Sequence, residues 1–322
     1  MIAPVIRRAV FAALALLVAG AAAPLPAQTV ADSQALAAKA TGMSDKELMK
    51  LPAKKVFGGQ KGPTANLKSR AIGSYAKGCM AGGKALEVDG PAWQVMRLSR
   101  NRNWGHPELV ALVERLAVEA KANDGWNGLL VGDLAQPRGG PMLSGHASHQ
   151  IGLDADVWLT PMPDRKLSPK EREEIQGKLV VKDRKRINPE VWTEAHARLI
   201  KRAASYPEVA RIFVHPPIKA ELCKWATGDR AWLAKVRPYF GHNWHFHIRI
   251  RCPKDSPNCT NQPEARPKDG TGCGDELAYW LGDKPWPKPE KPEAKPQKPQ
   301  KPAPPLTLSA LPAECRAVVT AE

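Results

Sequence analysis

Two short windows hold five of the chain's eight histidines. The first, SGHASHQIGLDADVWL (144–159), sets His146 and His149 three apart and follows them with Asp154 and Asp156. The second, GHNWHFHIRIRC (241–252), carries His242, His245 and His247. Imidazole nitrogen and carboxylate oxygen are donors that zinc accepts, and a catalytic zinc site uses three protein ligands with one position open to water. His149, Asp156 and His247 make such a set. Two neutral donors and one anion around a divalent cation leave a net positive centre, which acidifies bound water towards neutrality. An Asp156 buried without a cation or donor would be costly.

The elements that must carry these groups are legible from their periodicity. HFHIRI alternates with period two, so His245, His247 and Arg249 share one face while Phe246, Ile248 and Ile250 point to a core. GLDADVWLT does the same, with Leu153, Ala155 and Val157 on one face and Asp154 and Asp156 on the other. Asp154 lies one strand repeat from Asp156 and reads as a hydrogen-bonding support. GLLVGDLAQP and ARIFVHP read as further strands. GHPELVALVERLAVEAKA is a helix with Leu109, Leu112, Val113 and Leu116 on one stripe and Pro107 in its first turn. NPEVWTEAHARLIKRAASYP reads as a helix capped by Asn188, with shorter helices near 217–226 and 229–236. No regular βαβ rhythm appears, which favours an α+β fold: one compact domain whose small antiparallel sheet carries the site between flanking helices. His106, His196 and His215 are isolated and read as satisfied polar residues, His196 on a helix surface.

Arg7 and Arg8 precede an apolar run from Ala9 to Ala23 and then PLPAQT, the pattern of a secretory signal cut between Ala27 and Gln28. The run is shorter than the ~20 residues of a membrane span. Export to the periplasm without stable membrane insertion is the expectation. Removing residues 1–27 takes the formal charge from +16 to +14, a field that favours anionic neighbours. For an exported protein these are cell-wall and envelope polymers, not nucleic acid. Six cysteines in an exported chain read as three disulfides, and no pair has the CxxC spacing of a zinc knuckle or redox motif. The expected organisation is a signal over 1–27, a flexible leader over 28–68, the main domain over 69–283, a Lys/Pro-rich strap over 284–305 and a terminal segment over 306–322. The strap, KPWPKPEKPEAKPQKPQKPAPP, has the composition of an extended spacer, yet Cys315 lies beyond it.

GHASHQIGLDADV together with HFHIR resembles the penicillin-insensitive murein endopeptidases, within the zinc peptidase group that includes D-Ala-D-Ala dipeptidases and hedgehog-like domains. The likeness extends through IGSYAKGC, YPEVARIFVHPPIKAELC, WLAKVRPYFGH and RCPKDSPNC, roughly residues 70–315. The resemblance implies that His149, Asp156 and His247 bind a catalytic zinc ion (Zn2+), with His245 as general base and His242 as a supporting donor near the reacting carbonyl. It assigns His146, with Asp183, to a possible additional metal, but Arg186 stands where a third ligand, a histidine, is expected. It also implies the disulfides Cys79–Cys315, Cys223–Cys273 and Cys252–Cys259.

The activity so implied is hydrolysis of peptidoglycan cross-links, chiefly D-alanyl–meso-diaminopimelyl bonds, by metal-activated water. The chain has no GxSxG element, and hydrolysis by metal-activated water needs no acyl-enzyme serine for penicillin to trap. Trp244 is expected either to line the cleft or to pack beside it. Two alternatives use the same residues: a D,D- or L,D-carboxypeptidase trimming stem peptides, and a non-catalytic wall-binding module with a closed metal site.

Overall fold

The computed structural model describes residues 27–286 and 304–322. All but the last residue of the signal expected over 1–27, and most of the Lys/Pro strap, lie outside the described residues. Among the described residues, no helix is long and apolar enough to cross a membrane.

The expected flexible leader is instead structured. It forms α1 (Ala27–Ala40), α2 (Asp45–Leu48) and α3 (Ala53–Gly58). The reason is apolar burial: Ala40, Leu48, Val56 and Phe57 are all but inaccessible and pack with Leu308, Leu311 and Val318 from the chain's far end. The next elements, the hairpin β1 (Arg70–Ser74) and β2 (Lys77–Ala81), form the other wall of this second core through Ile72, Cys79 and Ala81.

The main body follows as β3 (Lys84–Ala85), β4 (Asp89–Gly90), β5 (Trp93–Val95), β6 (Trp104–Gly105), α4 (Pro107–Asn123), β7 (Leu129–Val131) and β8 (Asp154–Trp158). Then come α5 (Pro169–Glu174), α6 (Glu194–Ser205), β9 (Val209–Val214), α7 (Pro216–Trp225), β10 (Val236–Pro238), β11 (His245–Ile250), α8 (Asp275–Leu281) and α9 (Cys315–Thr320). In α4 the His106 imidazole caps the first turn by accepting from the Glu108 amide, and Pro107 occupies the first helical position. The expected stripe is fully realised: Leu109, Leu112, Val113 and Leu116 are all at or below 2% exposure. Each such side chain contributes about 1.5–3 kcal/mol by leaving water.

The α+β expectation holds, but the sheet is neither small nor wholly antiparallel. Seven strands lie in the order β10-β9-β11-β8-β7-β5-β4. The pairs β5–β7 and β9–β10 run parallel. Parallel neighbours need a crossover, and α4 and α7 supply one each. Of the five inner strands, β9, β11, β8 and β7 pair antiparallel, and β8 and β11 lie in the histidine windows. Phe246, Ile248 and Ile250 join Ala155, Val157 and residues of α4 and α6 in the principal core. The opposite face is left for His245, His247 and Arg249.

The helix expected from Asn188 begins later, at Glu194. Thr193 and His196 supply the local reason, since the His196 Nδ1 accepts from the Thr193 amide at 3.0 Å. His196 is therefore not on the helix surface. It is buried, pairs with the Leu159 carbonyl at 3.1 Å and stacks on Trp192. Three disulfides join Cys79 to Cys315, Cys223 to Cys273 and Cys252 to Cys259, in the pairing the resemblance implies. The first ties α9 back to β2 across the whole domain.

Candidate metal centre and active-site cleft

β8 and β11 are hydrogen-bonded neighbours, and their register pairs Asp156 with His247 and Asp154 with Arg249. Because side chains alternate across a strand, one face of this pair presents both aspartates, His245, His247 and Arg249 together. His149 arrives from the loop before β8. It takes a left-handed backbone conformation, φ 66°, an uncommon one for a non-glycine residue, and its side chain is wholly buried. Its amide donates to Asp154 Oδ2 at 2.9 Å, so one carboxylate anchors the loop to the strand.

The outer partners decide which ring nitrogens face inward. His149 Nδ1 lies 2.6 Å from the Leu134 carbonyl, which can only accept, so the proton sits on Nδ1 and Nε2 keeps its lone pair. His247 Nε2 donates to Asp154 Oδ1 at 2.8 Å, leaving Nδ1 as the inward atom. These two inward nitrogens stand 3.5 Å and 3.3 Å from Asp156 Oδ1. His149 Nε2 and Asp156 Oδ1 have no hydrogen-bond partner among the described residues. Acceptors facing one another in a buried site repel unless a proton or a cation lies between them. That donor set fits a metal ion, and its outer hydrogen bonds are the kind that orient metal-binding histidines.

Without a cation the protons respond. Burial alone would push the His247 imidazole down, but the Asp154 charge and hydrogen bond hold it above its ordinary value. Burial would raise the Asp156 carboxyl, yet His149, His245 and His146 keep it well below the usual carboxylate range. Asp154 is likewise lowered, with Arg249 and His247 outweighing its burial. His245 is pushed down to about 4 by burial, and burial lowers His242 as well.

The structure places the remaining expected residues unequally. His245 lies at the edge of the cluster, Nε2 3.7 Å from Asp156 Oδ1, and its ring is 5.1 Å from that of His242. The His146, His149 and Asp156 donor atoms all lie within 4.8 Å of one another, a grouping that could hold a metal ion. His146 Nε2 is 3.6 Å from Asp156 Oδ2, so His146 shares the cluster of His149 and does not stand at a separate centre. Asp183 takes no part in the cluster. It is exposed and bound by Arg186, whose Nε lies 2.6 Å from its Oδ2.

Two groups carry no signal in the sequence. Asp133, nearly inaccessible, accepts from Arg102 at 2.8 Å, Arg100 at 3.1 Å and His146 Nε2 at 3.0 Å, and so holds His146 at the rim of the cluster. Arg97, also left-handed at φ 59°, spends its guanidinium on the carbonyls of Arg172, Glu173 and Ile175. That pins the chain after α5 across the cleft. The cleft itself has a volume of about 540 Å³, with His146, Asp156 and His245 on its floor and Arg100, Trp158 and Phe240 among its walls. Trp244 does both things expected of it: it lines the cleft and packs edge-on against Trp158, 5.2 Å between ring centres.

The chain resembles known proteins over most of its length. A family profile described as penicillin-insensitive murein endopeptidase matches residues 71–320. The penicillin-insensitive murein endopeptidase of Haemophilus influenzae is 49% identical over 222 residues, covering 68% of this chain and 76% of the relative. That of Yersinia enterocolitica is 45% identical over 224 residues, covering 69% and 80%. The Klebsiella pneumoniae protein of the same name is 43% identical over 213 residues, covering 66% and 77%.

Proposed function

Since the chain belongs to the penicillin-insensitive murein endopeptidase family, we propose that it hydrolyses the D-alanyl–meso-diaminopimelyl amide bonds that cross-link peptidoglycan. The observation that carries the reading is the convergence of the buried His149 Nε2 and His247 Nδ1 on Asp156 Oδ1, while Asp156 itself lines the cleft. Those three residues would hold a divalent cation, zinc by the nitrogen and oxygen character of the donors. When bound, it supplies Lewis acidity, polarising the scissile carbonyl and making water acidic enough to ionise near neutral pH.

The chain's own groups do the rest. His245, at the edge of the cluster with Nε2 3.7 Å from Asp156, is placed to accept the proton of the attacking water and return it to the leaving amine. His242, beside it, donates towards the oxygen of the reacting carbonyl. Asp154 fixes the His247 tautomer, and Asp133 holds His146 where it can orient substrate or approach the cation. A reaction by metal-activated water forms no acyl-enzyme on a serine, which would account for insensitivity to penicillin. Three disulfides suit an oxidising compartment, and the reading includes export to the periplasm.

One observation favours a second reading. His146, His149 and Asp156 group as three donors, and His247 Nδ1, 3.3 Å from Asp156, would be a fourth for a closed structural site in a wall-binding module. Metal analysis paired with muropeptide profiling separates the options. Purified protein with one zinc per chain that converts cross-linked dimers to monomers meets the proposal. Loss of only a terminal residue indicates a carboxypeptidase, and binding to sacculi without any product indicates the module.

A further inference from the structure

Phe240 and His242, in the cleft wall, form one end of a longer aromatic band. Phe240 packs against Trp280 and Trp286 with ring centres 5.1 Å and 4.9 Å away. Tyr239 meets Trp280 at 5.9 Å and His242 at 6.0 Å, and Tyr279 meets Trp280 at 6.0 Å. The loop between β10 and β11 and the helix α8 therefore carry rings outward from beside His245. Folding does not demand this. None of the five Tyr, Phe and Trp rings joins a hydrophobic core cluster. Tyr239 and Tyr279, each 50% exposed, are the most open of the large hydrophobic side chains among the described residues. An exposed apolar patch contiguous with a cleft marks a binding surface.

The charge around the band narrows the ligand. Glu276 is engaged by Arg237, and Asp283 by Arg184 at 3.0 Å. The Arg184 guanidinium lies over the Trp286 ring, 5.3 Å from its centre. Neither tyrosine hydroxyl has a hydrogen-bond partner among the described residues. What remains is a broad face of π surface with hydroxyls at its outer end, beside which Arg184 and Lys185 share Asp283 and Lys284 stands exposed. Such a face complements the C–H side of a pyranose ring and its neutral hydroxyl and acetamido groups.

We propose that the band binds the glycan strand of peptidoglycan, seating N-acetylhexosamine rings on Tyr239, Trp280 and Tyr279 while the attached cross-link enters the cleft. This rests on the proposed function, from which it takes the substrate polymer. Tyr279→Ala, an exposed change far from the core, is the informative variant, with Tyr279→Trp as the conservative control.

Calorimetry with the tetramer of N-acetylglucosamine and the full chain should detect binding that weakens about tenfold in Tyr279→Ala and is kept in Tyr279→Trp. Digestion of intact sacculi should slow by a similar factor in Tyr279→Ala, while cleavage of a glycan-free cross-linked peptide dimer stays unchanged. No tetramer binding by the parent protein, equal slowing on both substrates, or unaltered rates on both would overturn the proposal. So would sedimentation showing a dimer that Tyr279→Ala dissociates, since the band would then be a contact between copies. If the parent protein cuts neither substrate, the proposed function fails, and tetramer binding alone then decides the band.

Discussion

Asp156 and His247 face each other across adjacent antiparallel strands, and the imidazole Nδ1 stands 3.3 Å from the carboxylate Oδ1 with its other nitrogen already committed to Asp154. This fixed opposition of two acceptors, repeated by His149 Nε2, calls for a positive charge between them. Replacing Asp156 by Asn keeps the shape and removes the anion. The expected outcome is loss of bound zinc and of dimer cleavage together, read by elemental analysis and muropeptide chromatography. An Asp156→Asn protein that retained one zinc per chain would sink the assignment.

Asp154 has a different task. It fixes His247 and neutralises Arg249, whose side chain is buried between Tyr75 and Phe213. Asp154→Asn should weaken metal affinity about 10–100-fold, as loss of an outer hydrogen bond does. It should also destabilise the fold by about 3–5 kcal/mol, because the guanidinium is left buried and unpaired. Adding Arg249→Met should restore much of the stability but not the metal affinity. Chelator competition and denaturant titration separate the two effects.

His245 touches the cluster only at its edge, so its removal should divide binding from turnover. His245→Ala is expected to keep its zinc and lose about 10²–10⁴ in kcat. Equal rates for variant and parent on purified sacculi would remove His245 from the reaction.

The strands that carry the chemistry were readable because period-two alternation leaves only one way to divide HFHIRI and GLDADVWLT between core and site. The resemblance read over residues 70–315 agrees with the family profile at 71–320. What alternation cannot reveal is partnership between distant segments. Asp133 looks like any loop acid until folding surrounds it with Arg100, Arg102 and His146. The Ala- and Lys-rich stretch before Ser69 looks flexible because its few apolar residues find cover from the β1–β2 hairpin and from the chain's last twenty residues or so. The left-handed His149 is equally silent, since its neighbours GHAS and QIG suggest only a turn.

That dependence of the amino-terminal helices on the carboxyl-terminal segment yields a stability prediction. Cys79–Cys315 closes a sequence separation of 236 residues and sits in the second core with Leu311 and Val318. Cys79→Ser with Cys315→Ser should cost about 2–5 kcal/mol. The loss should concentrate in α1, α3 and α9, whose amides should exchange hydrogen faster while those of β8 and β11 hardly change. Uniform acceleration across the sheet would mean that the disulfide supports the whole domain and not this second core alone.

Lys219 gives a pH dependence unrelated to the metal cluster. Its side chain is buried on α7, and the ammonium donates to the carbonyls of Leu233 and Thr271 at 2.6 Å and 2.7 Å. Burial pushes the amine down to about 7, from 10.5 in the unfolded chain. Between those values the unfolded chain binds more protons than the folded one, so this residue makes stability rise with pH over that window. Below about 7 the amine is protonated in both states and its burial penalty is fully present. Above 10.5 both states are neutral and the penalty is gone. Lys219→Met should therefore flatten the stability profile between pH 7 and 10.5, by at most roughly 5 kcal/mol over the whole interval. The two carbonyls oppose the shift by favouring the charged amine, so a smaller change of the same sign still supports it. Denaturant midpoints of parent and variant at half-unit pH steps measure the difference directly, and parallel profiles would show that Lys219 stays charged in the fold.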